Sequence, residues 1–99
     1  MAININELKP FDAAEHLETD EAIQAYISGA LETGDAEFIA SAIGTVARAK
    51  GMSQLAKETG LSRESLYKSF SCNGNPNLKT LLSVTKALGV SLSAKTVTA

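Results

Sequence analysis

Residues 53–70, SQLAKETGLSRESLYKSF, have the spacing of two short helices joined by a tight turn, and this feature restricts the fold most. Two helices that cross at about 90–120° through a three- or four-residue turn need a small residue on the first helix and a residue free to adopt positive φ in the turn. Ala56 and Gly60 occupy these two positions. We expect three leucines around the turn to face a common core: Leu55, Leu61 and Leu66.

The second helix of this pair is predicted to begin after Ser62, which can cap it by accepting from free backbone N–H groups. Its outer face is then polar and consists of Arg63, Glu64, Tyr67 and Lys68. An arginine at the start of such a helix can bond guanine in a major groove, and a lysine one turn later suits a phosphate. Glu64 either accepts from cytosine N4 or favours the positive end of the helix dipole, and Tyr67 either touches DNA or lies half in the core.

The preceding helix adds polar groups near its start. Ser53 is predicted to be its N-cap, and Ser53 and Gln54 offer backbone N–H groups and side chains to a DNA phosphate. Lesser candidates follow in Lys57, Asn73 and Asn75. The predicted DNA-binding residues are therefore Ser53, Gln54, Lys57, Ser62, Arg63, Glu64, Tyr67, Lys68, Asn73 and Asn75. The alternative is a helical hairpin that packs in this way without any DNA partner.

The rest of the chain is predicted to be helical, in one domain. Apolar spacing and capping residues predict helices after Asp12, from about Asp20 to Gly34, from Asp35 to Gly51 and from Asn77 to Gly89. The apolar stripes include Phe38 on the helix after Asp35 and Leu78, Leu81, Leu82, Thr85 and Leu88 on the last helix. The fold class is thus an all-α bundle of five to six helices over residues 11–90, with an N-terminal tail at 1–10. Residues 91–99 are a C-terminal tail or a short strand that could pair with the INI segment near the start.

Charge divides the chain into two halves of opposite sign. Residues 1–40 carry nine acids and one base, net −8, whereas residues 41–99 carry eight bases and two acids, net +6. Such asymmetry is typical of a protein with two kinds of partner, although the halves could simply attract each other.

Several classes of protein are not expected from this sequence. No apolar run approaches the roughly 20 residues that span a membrane, and the N-terminus lacks the pattern of a signal peptide. His16 and Cys72, each the sole residue of its type, stand far apart. They do not suggest a catalytic dyad or a zinc site. We expect a cytoplasmic protein that is not an enzyme and needs no cofactor or metal.

Residues 47–90, ARAKGMSQLAKETGLSRESLYKSFSCNGNPNLKTLLSVTKALGV, resemble the addiction-module antidote proteins. The segment FDAAEHLETDEAIQAYISGALETGDAEFIASAIGTVARAKGMSQ also matches that group, so the resemblance covers roughly residues 11–92. It implies a lambda-repressor-like helix-turn-helix antitoxin, encoded beside a RelE- or HigB-type toxin. It also implies a homodimer that represses its own operon on palindromic double-stranded DNA, with contacts from Ser53, Gln54, Ser62, Arg63, Glu64, Tyr67 and Lys68. The segment MAININELK and the tail past Leu92 lie outside the pattern.

A toxin that grips RNA is expected to be basic, and the acidic half of this chain would complement it. The candidate toxin contacts are Asp12, Glu15, Glu18, Asp20 and Glu21, with a solvated acidic helix face as the alternative reading. Two other functions remain open: a stand-alone phage-type repressor, and a protein-interaction inhibitor that does not bind DNA. The tail from Val90 onward is the first candidate for the dimer contact.

Overall fold

The protein is an all-α bundle in the computed structural model, which describes residues 17–97. Five helices follow one another: α1 (Asp20–Glu32), α2 (Ala36–Lys50), α3 (Met52–Thr59), α4 (Arg63–Ser69) and α5 (Leu78–Ala87). α1 packs on α2, and α3 contacts α2, α4 and α5. The predicted helix after Asp12 lies outside the described residues.

Side-chain caps fix the starts of four of these helices. Thr19, Asp35, Ser62 and Asn77 each have extended backbone and accept a hydrogen bond from a backbone N–H in the first turn. The bonds to Asp35 come from Glu37 at 3.0 Å and Phe38 at 3.2 Å. These bonds satisfy N–H groups that have no partner inside the helix. The predicted caps Asp35, Ser62 and Asn77 are confirmed.

The start of α3 corrects the prediction that Ser53 is an N-cap. α3 begins at Met52, its N-cap is Gly51, and no side chain caps it. Gly51 also ends α2, and its φ of 113° turns the chain so sharply that the next helix starts at once. Ser53 is therefore an exposed residue within the first turn of α3.

The core lies where α2, α3, α4 and α5 meet. Its fully buried side chains include Ile43 and Val46 of α2, Leu55 of α3, Leu66 of α4 and Val84 of α5. The hydroxyl of Thr85 is buried as well, and it donates to the carbonyl oxygen of Leu81 at 3.0 Å. The prediction that Leu55, Leu61 and Leu66 face one core is confirmed, with Leu61 only partly buried.

Three apolar residues of the predicted stripes are not in the core. Phe38 is 51% exposed, Leu78 is 67% exposed and Leu82 is 48% exposed. Phe38 lies at the start of α2, and the two leucines lie on the side of α5 that no other described helix covers. Helical spacing identifies one apolar side of a helix, but how much of it neighbours cover depends on tertiary packing.

Among the described residues, the C-terminal segment at 91–97 forms no strand and is a tail without regular secondary structure. Lys95 ties the tail to α1, because its ammonium donates to the Glu32 carboxylate at 2.8 Å. The predicted partner for that strand, the INI segment, falls outside the described residues.

Candidate nucleic-acid interface

α3 and α4 are joined by a three-residue turn, Gly60–Ser62, built by local hydrogen bonds. Gly60 has φ 75° and ψ 8°, a left-handed conformation that costs other residues energy but not glycine. Its N–H donates to the Ala56 carbonyl at 2.9 Å. The Thr59 hydroxyl donates to the Leu55 carbonyl at 2.8 Å and accepts from the N–H of Leu61 at 3.3 Å. The turn therefore fixes where α4 starts relative to α3.

α4 has one buried side and one exposed side. Leu66 is 0% exposed, and Phe70, which ends the helix, is 1% exposed. Ser62 caps the N-terminus by accepting from the N–H of Ser65 at 3.0 Å. The four residues of the predicted outer face are all exposed, including Tyr67 at 44%: Arg63, Glu64, Tyr67 and Lys68. The helix thus presents a continuous polar face to solvent.

Two glycines allow other backbone segments to approach the C-terminal end of α4 closely. A Cβ built on Gly44 of α2 would lie 2.0 Å from the carbonyl oxygen of Phe70. A Cβ built on Gly74, in the loop that follows, would lie 2.1 Å from the carbonyl oxygen of Ser69. No side chain fits at either position without a shift of the backbone. The end of α4 is therefore held between α2 and its own following loop.

The first turn of α3 exposes the predicted residues Ser53 and Gln54, and Lys57 is exposed one turn later. The N–H of Leu55 donates to the Gly51 carbonyl, whereas the backbone N–H groups of Ser53 and Gln54 precede the first bond of this helix. The amide of Gln54 donates to the Glu58 carboxylate at 3.0 Å. Gln54 would have to exchange that bond to reach a phosphate through its side-chain N–H.

The exposed cations of α3 and α4 are not paired with neighbouring acids among the described residues. Glu58 is the acid of α3, and it pairs with Lys50 of α2 at 3.8 Å as well as with Gln54. Among the described residues, Lys57, Arg63 and Lys68 take part in no ion pair. The charged residues of α3 and α4 are thus these three cations, the unpaired acid Glu64 and the paired acid Glu58.

Asn73 and Asn75 flank Gly74 in the loop between α4 and α5, and both are exposed. Cys72 of the same loop is an exposed free thiol. This loop leaves the same end of α4 that carries Lys68. The two asparagines are therefore closer in the chain to the C-terminal end of the exposed face than to Arg63.

The candidate toxin contacts lie on a different element. Glu18, Asp20 and Glu21 are exposed at the start of α1, where acids also suit the helix dipole. Asp12 and Glu15 lie outside the described residues, as does His16. Three of the five acids therefore lie within four residues of one another at the N-terminal end of α1, which is not part of the α3–α4 pair.

Sequence reasoning missed two residues that hold α2 against other helices. Gly44 interrupts an apolar helical stripe, which is a signal for close backbone approach, but its partner Phe70 lies far along the chain. Lys50 lies in the last turn of α2, where a cation suits the helix dipole. Its ammonium also donates to the carbonyl of Ala87, which ties the end of α2 to the end of α5.

No helix among residues 17–97 has the length and apolar character needed to cross a bilayer. A family model described as "probable addiction module antidote protein" matches residues 7–96. The chain is also 49% identical, over 84 residues, to an uncharacterized protein of Haemophilus influenzae. That alignment covers 85% of this chain and 87% of the relative. No solved structure matches the chain.

Proposed function

Because the chain belongs to the family of probable addiction module antidote proteins, we propose that it neutralises a toxin encoded beside it and represses the operon that encodes both. In this proposal the toxin is a small basic protein of the RelE or HigB type. Repression occurs when a homodimer inserts one α4 helix into each of two major grooves of a palindromic operator. The two half-sites are then about one DNA turn, ~34 Å, apart.

The observation that carries the DNA-binding part is the exposed face of α4. Arg63 lies at the first helical position, with Glu64, Tyr67 and Lys68 on the same exposed side and Leu66 buried opposite. A helix that is anchored on one side and free on the other, after a tight turn from a supporting helix, suits insertion into a groove about 12 Å wide. The three unpaired cations on this side favour a polyanionic partner.

The roles of the residues follow from their positions. Arg63 bonds the O6 and N7 atoms of a guanine, and Glu64 accepts from a neighbouring cytosine or stabilises the start of the helix. Lys68, Lys57 and the first turn of α3, at Ser53 and Gln54, contact phosphates and fix the register. Asn73 and Asn75 reach the backbone beyond the end of α4.

A single copy would bind weakly, since it brings few cations to DNA and carries an acidic first half. Two copies on a two-fold operator double the number of contacts. The bound toxin would further offset the acidic charge of α1. We therefore expect the tightest operator binding from the dimer in complex with the toxin.

The test of DNA binding is a gel shift with DNA from upstream of the protein's own gene, at fixed salt. Arg63→Ala removes one bidentate base contact in each half-site, and at about 1–3 kcal/mol per contact the binding of the homodimer to the specific site should weaken by roughly 30-fold or more. The matched control is Arg48→Ala, because Arg48 is an exposed arginine on α2. If both variants bind as the wild type does, α4 does not read the operator.

The toxin is tested separately, by co-expression with the product of the neighbouring gene. Rescue of growth supports an antidote, whereas no effect on growth favours a stand-alone repressor. A protein in which Glu18 and Glu21 are both replaced by lysine should bind a basic toxin more weakly than the wild type does. Glu37→Lys is the control, since Glu37 is an exposed acid at the start of a different helix. Equal affinity in all three proteins would rule out the acidic start of α1 as the contact.

A further inference from the structure

Glu58 of α3 bonds a side chain that the proposed function assigns to DNA, and both of its carboxylate oxygens have partners. The Oε1 atom accepts from the side-chain amide of Gln54 at 3.0 Å. The Oε2 atom lies 3.8 Å from the ammonium of Lys50. Among residues 17–97, this is the one carboxylate that bonds a side chain predicted to contact DNA.

Lys50 is itself held in place, so the carboxylate is fixed from the side opposite Gln54. The ammonium of Lys50 donates to the backbone carbonyl of Ala87 at the end of α5. The side chains of Lys50 and Glu58 are 34% and 36% exposed, so each is more than half removed from solvent. Partners that are already positioned lose less conformational entropy when they pair than two free surface side chains do.

The carboxylate of Glu58 is directed toward the start of α3. Gln54 and Glu58 are four residues apart on this helix, a spacing at which side chains meet. Because helical side chains point toward the N-terminus of their helix, Glu58 reaches back to the first turn. That turn holds the backbone N–H groups of Ser53 and Gln54, which precede the first bond of the helix. A negative charge therefore lies beside the proposed phosphate contact.

We propose that Glu58 is an internal competitor for the DNA backbone, whose carboxylate occupies the Gln54 amide until a phosphate oxygen replaces it. Carboxylate and phosphate oxygens are both anionic acceptors for the same N–H group. After the exchange, the carboxylate keeps the ammonium of Lys50 as its partner. Glu58 touches no base in this arrangement, so it weakens binding to all DNA sequences by a similar factor.

The inference rests on the proposed function, because it concerns the phosphate contact at the start of α3. Its magnitude follows from the kind of bond that is exchanged. A polar side-chain pair at this spacing corresponds to roughly a 1.4- to 2.3-fold change in an equilibrium constant for each copy. Two copies on one operator bring the change in affinity to roughly 2- to 5-fold.

The test is a double-mutant cycle of operator binding at one salt concentration, with the wild type, Glu58→Ala, Gln54→Ala and the double variant. Loss of the carboxylate removes both the competition for Gln54 and a general repulsion of DNA, and only the competition depends on Gln54. The gain from Glu58→Ala should therefore be roughly 2- to 5-fold larger with Gln54 present than with alanine there. Glu37→Ala, which removes the same charge from the start of α2, should show no such coupling.

The outcomes separate this inference from the proposed function. Equal gains in the two backgrounds would mean that Glu58 acts through its charge alone and would overturn the inference. Weaker binding by Glu58→Ala would also overturn it, because the carboxylate would then orient Gln54 for DNA. If no protein of the cycle binds, the wild type included, the proposed function fails and the inference fails with it.

A second measurement tests the Gln54–Glu58 bond in the free protein. The side-chain amide protons of Gln54 should shift in the NMR spectrum of Glu58→Ala, because they lose a charged acceptor. Those of Gln24, an exposed glutamine on α1, should stay where they are. If the Gln54 signals do not move, the bond is absent in solution and Glu58 is no competitor. Operator binding by the wild type in that case would leave the proposed function intact.

Discussion

Gly44→Ala is the most informative single change in this fold, because it tests the close approach of α2 to the end of α4. Within a helix, alanine is usually more stable than glycine by roughly 0.5–1 kcal/mol. At Gly44 the new methyl group would lie 2.0 Å from the Phe70 carbonyl oxygen and 3.1 Å from its carbonyl carbon. Ordinary C···O contacts are about 3.3 Å or longer, so α2 and α4 must separate by more than about 1 Å.

The cost of this separation sets the expected magnitude. Overpacking of a close-packed core costs typically about 1–3 kcal/mol, and the upper end applies because the obstructing atom belongs to the backbone and cannot rotate away. After the gain in helix propensity, we expect a net loss of about 2 kcal/mol. For a domain of this size that corresponds to a fall in Tm of roughly 8–16 °C.

The control is Gly29→Ala in α1, where a Cβ would meet no other atom within 4 Å. This variant should gain about 0.5–1 kcal/mol from helix propensity alone. The assay is thermal unfolding followed by circular dichroism, with all proteins at one concentration because any self-association would make Tm depend on concentration. If the Tm of Gly44→Ala equals or exceeds that of the wild type while Gly29→Ala behaves as expected, the inferred close packing of α2 against the end of α4 is wrong.

Two further predictions concern a helix cap and an ion pair. Ser62→Ala removes the acceptor for the Ser65 N–H, which should cost about 1 kcal/mol. Thermal unfolding should show it, and an unchanged Tm would mean that the cap bond adds nothing. The hydrogen bond from Lys95, together with its positive charge, lowers the pKa of Glu32. The pair therefore contributes to stability above the ordinary pKa of a glutamate and loses that contribution as the pH falls through the lowered pKa of the folded state. A titration of the Glu32 carboxyl carbon by NMR should show a low midpoint that rises in Lys95→Ala, and a midpoint that does not move would contradict the pairing.

Local signals made the helix boundaries predictable. Asp35, Ser62 and Asn77 satisfy N–H groups within three residues of themselves, so short stretches of sequence contain the whole interaction. The exposure of Lys68 follows in the same way, because a separation of two residues places it about 200° around the helix from the apolar Leu66. Arg63 is exposed at the first position of the helix. Ser53 misled the prediction because Gly51, two residues before it, turns the chain sharply enough to start α3 two residues earlier than predicted.

Features that depend on distant parts of the chain could not be predicted. The spacing in α5 groups Leu78 and Leu82 with the core leucines, yet no described helix covers them. The sequence shows Gly44 within an apolar stripe but not that the carbonyl of Phe70 is what approaches it. The tail alternates as a strand does, but it forms no strand among the described residues. The packing of α2 and α5 consists of tertiary contacts, which residue spacing alone does not specify.

The central claim is that the exposed face of α4 reads DNA, and base-by-base specificity tests it most directly. Affinities of the wild type, Arg63→Ala and Lys68→Ala would be measured for an operator and for each of its single base-pair changes, at one salt concentration. Arg63→Ala should lose discrimination at one base pair in each half-site, worth about 1–3 kcal/mol, while Lys68→Ala weakens binding to all sequences by a similar factor. An Arg63→Ala protein that keeps the wild-type preference at every position would contradict the claim.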